Sequence, residues 1–268
     1  MPTRRCLVLA GNGTNCEVET AHACRATGAE QVDVVMVWDL LAGRVRLQDY
    51  NFLLLPGGFL DGDDLGAAKA MAWRLRHART PDGSSFFEQL KAFVQGPNLV
   101  FGICNGFQLL VKLGLLPRPT GSQQVTVWAN DSGRFEDRWV HLTVDPESPC
   151  VFTRGLEHME LPVRHGEGKV LLAGSEALVA ASHLAPVRYA DPETRRPTEE
   201  YPHNPNGSPG GVAGLCDETG RIFGLMPHPE AYNHVTNHPA WPRPKAPRRA
   251  QGLDLFANAM AWLKENGE

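Results

Sequence analysis

No stretch of this chain approaches the roughly 18 consecutive apolar residues of a membrane-spanning helix. The N-terminus also lacks the basic, apolar and small-residue order of a signal peptide. A membrane is therefore not an expected partner. Charge of neither sign dominates: 26 Lys and Arg against 30 Asp and Glu leave a net -4, which gives nucleic acid and anionic lipid no electrostatic reason to bind. Cysteine is sparse, with six residues at positions 6, 16, 24, 104, 150 and 216 and no C-x-x-C pair. That spacing argues against a disulfide scaffold and for free thiols in a reduced, cytoplasmic setting. There is no internal repeat and no low-complexity tract. The phosphate-loop pattern G-x-x-x-x-G-K-[ST] is missing too, so nothing in this chain looks built to bind ATP.

What is present is 42% hydrophobic content over 268 residues, enough for a sizeable core. Cys6–Ala10 reads as a buried strand, Val32–Val37 as a second strand and Phe52–Leu55 as a third. Helices are expected at Cys16–Thr27, Leu65–Ala78 and Ser84–Val94. Asn15 or Thr14 would cap the first of them, with Glu17 and Glu19 in its opening turn and Gly28 as its stop. Apolar strands alternating with helices predict a doubly wound, mostly parallel α/β sheet, with its site beyond the carboxyl ends of the strands. Gly11-Asn12-Gly13 is reminiscent of a phosphate-cradling loop, but so short a pattern more simply makes a tight β–α turn. Asp61, Asp63 and Asp64 lack EF-hand spacing and read as a solvated loop capping the next helix.

Leu99–Ile103 is a further buried strand, and from Phe107 the residues Leu110, Val111 and Leu113 fall on helical spacing up to Gly114. Cys104 thus lies at an abrupt strand-to-helix turn, in the frame Gly102-Ile-Cys-Asn-Gly106. This is the thiol counterpart of the nucleophile elbow. Small flanking residues let the backbone bend and a substrate approach. The helix N-terminus behind the thiol favours a thiolate and offers N–H groups to an oxyanion. The bland alternative is a buried core cysteine.

A cysteine nucleophile needs a base and an acid to orient that base. Of ten histidines, His228 is the best placed, since it follows a strand, and Glu230 can fix its tautomer while Pro227 and Pro229 stiffen the turn. His228, His234 and His238 also allow a zinc reading through their H-x₃-H spacing, although no cysteine pair accompanies them.

After Pro117 the pattern changes to short β-like segments at 125–129, 139–144, 161–164, 177–181, 187–189, 211–215 and 222–226. They predict antiparallel strands added to the parallel core. Pro192–Pro209 reads as a long surface loop. A Pro- and Arg-rich connection at about 232–250 leads to a closing helix at about 253–264, whose Leu255, Phe256, Ala259, Met260 and Leu263 should pack on the sheet. The whole of 1–268 is expected to form one domain.

In chain order, Pro56-Gly-Gly58, Gly102-Ile-Cys-Asn-Gly106 and Pro227-His-Pro-Glu230 resemble the class I, or triad, glutamine amidotransferases. A closer resemblance is to the glutaminase subunits of phosphoribosylformylglycinamidine synthases. It is carried by Asn15-Cys-Glu17, Gly62-Asp-Asp-Leu-Gly66, Gly102-Ile-Cys-Asn-Gly-Phe-Gln108, Arg134-Phe-Glu136, His165-Gly-Glu-Gly168, Asn204-Pro-Asn-Gly-Ser208 and Met226-Pro-His-Pro-Glu230. These pieces extend from about residue 5 to 230. The chain departs from that pattern at Gly58-Phe-Leu-Asp-Gly-Asp63, where the family usually has G-F-S-x-G-D, and at Ala231, where an Arg is common. Its segment from Tyr232 to Arg249 is also longer than in the shorter members.

The resemblance implies a flavodoxin-like sheet and hydrolysis of the glutamine amide through a thioester on Cys104, with His228 as base and Glu230 behind it. It implies oxyanion and substrate contacts at Gly57, Gly58, Asn105, Gln108 and His165, and neither cofactor nor metal on this chain. The ammonia would pass to a PurL-like synthetase chain that uses ATP and Mg to make formylglycinamidine ribonucleotide in purine biosynthesis. A small PurS-like third subunit is left open. Rival readings are the glutaminase of another amidotransferase complex, a stand-alone cysteine hydrolase of the same fold, and a non-catalytic binding subunit. The His165–Gly168 and Asn204–Ser208 motifs speak against the hydrolase, and an intact Cys104, His228 and Glu230 set against the binding subunit. The Gly57–Gly58 peptide is a candidate gate, because glycines let a peptide flip at little steric cost. A synthetase docked near Asp61–Gly66 or His165–Gly168 would then bias the flip.

Overall fold

A computed structural model describes residues 4–172, 174, 179–180, 182–243 and 248–266. Its first half alternates as expected: β1 (Arg5–Ala10), α1 (Glu17–Ala26), β2 (Gln31–Met36), α2 (Val37–Leu41), β3 (Phe52–Leu55), α3 (Lys69–His77), α4 (Phe86–Gln95), β4 (Leu99–Ile103) and α5 (Asn105–Lys112). The second half supplies β5 (Thr126–Ala129), β6 (Glu136–Val144), β7 (His158–His165), β8 (Glu167–Leu171), β9 (Val187–Tyr189), β10 (Val212–Cys216) and β11 (Ile222–Leu225), and α6 (Gly252–Asn266) closes the chain. Among the described residues no helix is long and apolar enough to cross a membrane.

Among the described residues nine strands form one sheet in the order β2-β1-β3-β4-β11-β10-β9-β6-β7. The pairings from β2 through β11 are parallel, and those from β11 through β7 are antiparallel. A parallel, doubly wound core thus carries an antiparallel extension, as the composition change after Pro117 predicts. The strand order reverses between β1 and β3, and the loops leaving β1, β3, β4 and β11 share one edge there. Every residue of β3 and β4 is buried, as suits strands covered on both faces by helices.

Two of the elbow glycines are required by packing. A Cβ on Gly106 would lie 1.9 Å from the Leu55 carbonyl oxygen, and one on Gly102 would lie 2.6 Å from the Gly106 oxygen. Both contacts are backbone, which cannot step aside, so α5 can lie against β3 and β4 only if these positions carry no side chain. Gly106→Ala is therefore expected to cost about 3 kcal/mol of stability through overpacking. Chemical denaturation checks this, and an unchanged midpoint would mean that α5 can slide off β3.

Several sequence expectations are corrected. Val37 starts α2 rather than ending β2. The Asp61–Asp64 loop does not cap α3: the helix begins after Ala68, which adopts a left-handed conformation without a side-chain cap, and Asp61 instead meets Arg74 at 3.0 Å. Neither Asn15 nor Thr14 caps α1. Cys16 holds that position without a side-chain bond, while Thr14 Oγ1 accepts from Gly11 N–H inside the turn. The segment 192–209 is not a surface loop throughout, since Asn204, Asn206 and Ser208 are fully buried. Residues 177, 178 and 181 of the expected 177–181 strand lie outside the described residues, and Val179 and Ala180 are helical. β8 was not anticipated. It pairs with β5 in a separate two-stranded sheet.

α6 packs as its apolar stripe predicts, with Phe256 against Phe101 of β4 at 5.6 Å between ring centroids. Its first residue, Gly252, abuts the Pro229 carbonyl, where an added Cβ would come within 1.9 Å. The connection before it folds back, with Tyr232 edge-on to Trp139 and His238 bonded to Glu160 at 2.9 Å.

Candidate active site

Cys104 occupies the turn between β4 and α5 with φ +49° and ψ -104°, a conformation that an L-residue adopts only when its surroundings impose it. The Cys104 N–H donates to the Leu225 carbonyl at 2.8 Å, which ties the elbow to β11. The thiol reaches the Arg164 carbonyl at 3.5 Å, so β7, the last strand of the sheet, bends round to the active edge. His228 follows β11, and its own N–H donates to the Pro162 carbonyl of β7 at 2.8 Å.

His228 and Glu230 are 2% and 0% exposed. Nδ1 of His228 bonds Glu230 Oε1 at 2.6 Å, which leaves Nε2 as the uncommitted nitrogen of the ring. Nε2 is buried without a hydrogen-bond partner among the described residues. Burial is the largest influence on the imidazole and opposes its charge. Glu230, Cys104 and Cys16 together outweigh burial and hold its pKa well above the usual value. A protonated imidazole that borders a thiol favours the thiolate. Gly57 makes room for this ring, because a Cβ there would lie 2.7 Å from His228 Cε1.

Oxyanion donors can be placed from the backbone. Gly58 faces Thr14 as an antiparallel bridge whose bonds belong to the flanking residues: Asn15 N–H to the Gly57 carbonyl at 3.3 Å, and Phe59 N–H to the Gly13 carbonyl at 2.7 Å. The Gly58 N–H therefore points away from residues 13–15, and Gly58 lines the same cleft as Cys104. Asn105, first in α5, has an N–H with no intrahelical acceptor. The side chains of Asn105 and Gln108 are engaged elsewhere. Asn105 Oδ1 accepts from Leu60 N–H at 3.1 Å and its Nδ2 donates to Gln108 Oε1 at 3.0 Å, while Gln108 Nε2 donates to the Glu167 carbonyl at 2.6 Å.

A cleft of about 210 Å³ opens onto the thiol, lined by Asn15, Cys16, Glu19, Gly58, Phe59, Cys104, Phe135, Arg164 and His228. Cys16, Glu19, Phe135 and Arg164 were not singled out individually by sequence reasoning. In the sequence Glu19 is only a favourable charge in the first turn of α1, and nothing local marks β7 as folding over the elbow. Cys16 Sγ lies 3.9 Å from His228 Nδ1, and burial pushes its own pKa up, so it remains a thiol. Cys16, His228 and Glu230 are the one group among the described residues with metal-ligating atoms within 4.8 Å. Its central nitrogen is already bonded to Glu230. His234 and His238 do not converge on it: His234 Nδ1 bonds Thr236 and His238 Nε2 bonds Glu160. His165 is buried next to the thiol's acceptor, Arg164, but does not line the cleft.

A thiol, a buried imidazole and carboxylate, and two backbone donors at one sheet edge can carry out acyl transfer through a thioester. Comparison with known proteins gives the same class. Residues 3–263 match the family model of the CobB/CobQ-like glutamine amidotransferase domain. The chain is 42% identical over 260 residues to the phosphoribosylformylglycinamidine synthase subunit PurQ of Dehalococcoides mccartyi, covering 97% of each chain. It is 37% identical over 273 residues to the PurQ subunit of a Methanococcus maripaludis strain, again covering 97% of each. Among solved structures, a chain of PurLQS from Thermotoga maritima superposes with a TM-score of 0.71 at 26% identity, over 98% of this chain and 100% of that one. This chain belongs to the glutamine amidotransferases, in the branch that holds the PurQ subunits.

Proposed function

We propose that this chain, working as one unit over 1–268, is the glutaminase subunit of a phosphoribosylformylglycinamidine synthase. The observation that carries the reading is the buried His228–Glu230 pair bordering an elbow cysteine. Cys104 Sγ attacks the side-chain carbonyl carbon of glutamine, and its proton passes to His228 Nε2. The Gly58 and Asn105 N–H groups hold the resulting oxyanion, each worth about 3 kcal/mol. His228 then returns the proton to the departing nitrogen, ammonia leaves, and a thioester to Cys104 remains. Water, deprotonated by His228, attacks the thioester carbon and releases glutamate. Arg164 and Glu19, one charge of each sign at the cleft, suit the carboxylate and ammonium of an amino acid.

The ammonia goes to a PurL-like synthetase that holds ATP and Mg, with a small PurS-like subunit as a third component. Six free, buried thiols are at home in a reducing cytoplasm. A gate at the Gly57–Gly58 peptide has a definite cost, because a flip must break the bonds from Asn15 and Cys16 N–H to the Gly57 carbonyl, each 3.3 Å. A closed gate would have to give up these bonds and turn the Gly58 N–H out of the site; if the isolated chain populates that state, it hydrolyses glutamine slowly and the assembled complex much faster. Glutamate release with and without the synthetase tests both points. No glutamine-dependent amidine from the complex overturns the functional reading. Equal rates of glutamine hydrolysis with and without the synthetase overturn only the gate.

A further inference from the structure

Two buried polar atoms, on β7 and on β9, are left incomplete. Asn130 Nδ2 donates to the Arg134 carbonyl at 2.9 Å and to the His165 carbonyl at 2.8 Å, so its Oδ1 is the atom that meets His165 Nδ1 at 3.1 Å. An amide oxygen only accepts, which places the ring proton on Nδ1 and leaves Nε2 a bare acceptor. That atom is buried and has no partner among the described residues. The second atom is the Tyr189 hydroxyl, fully buried on β9. Asn206 Nδ2 donates to it at 2.9 Å, and Asn206 Oδ1 is taken by Ser208, so the phenol's own proton finds no acceptor among the described residues. The two groups are neighbours across Asn206: a Cβ on Gly168 would lie 2.4 Å from His165 Cε1 and 2.9 Å from Asn206 Nδ2. His165 directly follows the residue whose carbonyl receives the Cys104 thiol.

A buried acceptor and a buried donor left open beside a leaving-group site define the ligand: small, neutral, and able to give and take one hydrogen bond each. We propose that ammonia released at Cys104 is received here, donating an N–H to His165 Nε2 and accepting the Tyr189 O–H on its lone pair. The proposal rests on the glutaminase reading. Substrate then enters from the cleft at Arg164 and Phe135, and the nitrogen departs on the opposite, buried side. The protonation of the pair fits the task. Burial and the neighbouring His228 push His165 down to about 3, and burial pushes Tyr189 well up. Neither group hands ammonia a proton at neutral pH, so it stays nucleophilic. The His165–Gly168 and Asn204–Ser208 motifs, idle in the triad chemistry, thereby gain a use.

The test is the amount of glutamate formed per amidine product in the complex reconstituted with a synthetase. This ratio does not depend on how fast glutamine is cut. The wild-type complex should form nearly equal amounts. His165→Leu should raise the ratio about fivefold, as the loss of one buried hydrogen bond allows, with the missing nitrogen recovered as free ammonium. His165→Gln, which keeps an acceptor oxygen at similar reach, should stay near wild type, a rescue that a purely structural role would not give. Tyr189→Phe should raise the ratio less. Wild-type ratios in both His165→Leu and Tyr189→Phe overturn the proposal and leave the pair as a site for structural water. Should His165→Leu fail to fold, Tyr189→Phe decides alone by the same criterion. A wild-type complex that makes no product from glutamine overturns the glutaminase reading instead.

Discussion

Replacing Cys104 with Ala is expected to abolish glutamine-dependent amidation, by a factor of about 10⁴ or more, because no thioester can form without the nucleophile. Amidation driven by added ammonium salts should continue at the wild-type rate, since the synthetase site lies on another chain. The variant should also fold. Cys104 is 6% exposed and its side chain makes one weak bond, to the Arg164 carbonyl. The alternative nucleophile is Cys16, the other thiol in the cleft. Its burial-raised pKa and its position at Nδ1 rather than Nε2 of His228 argue against that role. Cys16→Ala should retain most of the activity. Glutamine-dependent turnover persisting in Cys104→Ala and vanishing in Cys16→Ala would exchange the two assignments.

The second large effect belongs to the His228–Glu230 pair. His228→Ala should approach the loss seen at Cys104, and Glu230→Gln should cost less, about 10²–10⁴, because members of a triad act together while the orienter alone often matters less. The pH behaviour of Glu230→Gln gives a sharper test. Burial by itself pulls the His228 pKa down, and Glu230 leads the groups that raise it. Removing that carboxylate should therefore drop the imidazole's titration, which NMR of the ring carbon would follow. The linkage has a definite sign. A histidine raised in the folded state stabilises fully below its unfolded value of about 6.5, and that stability fades as pH climbs through the raised pKa. The stability gap between wild type and Glu230→Gln should narrow as pH rises. A gap that widens would mean that His228 is held neutral.

The parallel half of the fold and the meeting of Cys104, His228 and Glu230 at one sheet edge were legible in the sequence because each rests on local chemistry. Apolar runs of strand length mark β1, β3 and β4, and the glycines around Cys104 mark a turn that nothing larger could make. The antiparallel half was legible only in kind. β6 and β7 begin three residues earlier than their apolar content suggests, because the polar Glu136 pairs with His165 and the polar His158 with Thr143. β8 is hidden for a similar reason: Glu167, Gly168 and Lys169 do not read as a strand, yet Glu167 and Lys169 pair with β5 across an irregularity at Gly168. The Asn204–Ser208 segment has the composition of a surface turn. Its burial follows from hydrogen bonds to Gly168, Tyr189 and Val170, partners far away in sequence. For the same reason the flanking residues of the cleft could not be read locally. Arg164 and Phe135 come to the thiol only because the sheet bends far enough to bring its last strand back to the elbow.

The most direct test of the central claim is to trap the intermediate. The complex is mixed with glutamine, quenched in acid within a turnover, digested and mapped by mass spectrometry. The account requires a glutamyl adduct on the peptide that carries Cys104, labile to hydroxylamine as a thioester is, lost in Cys104→Ala and scarce in His228→Ala. An adduct on the peptide carrying Cys16, or hydrolysis of glutamine with no covalent adduct at any time point, would contradict it.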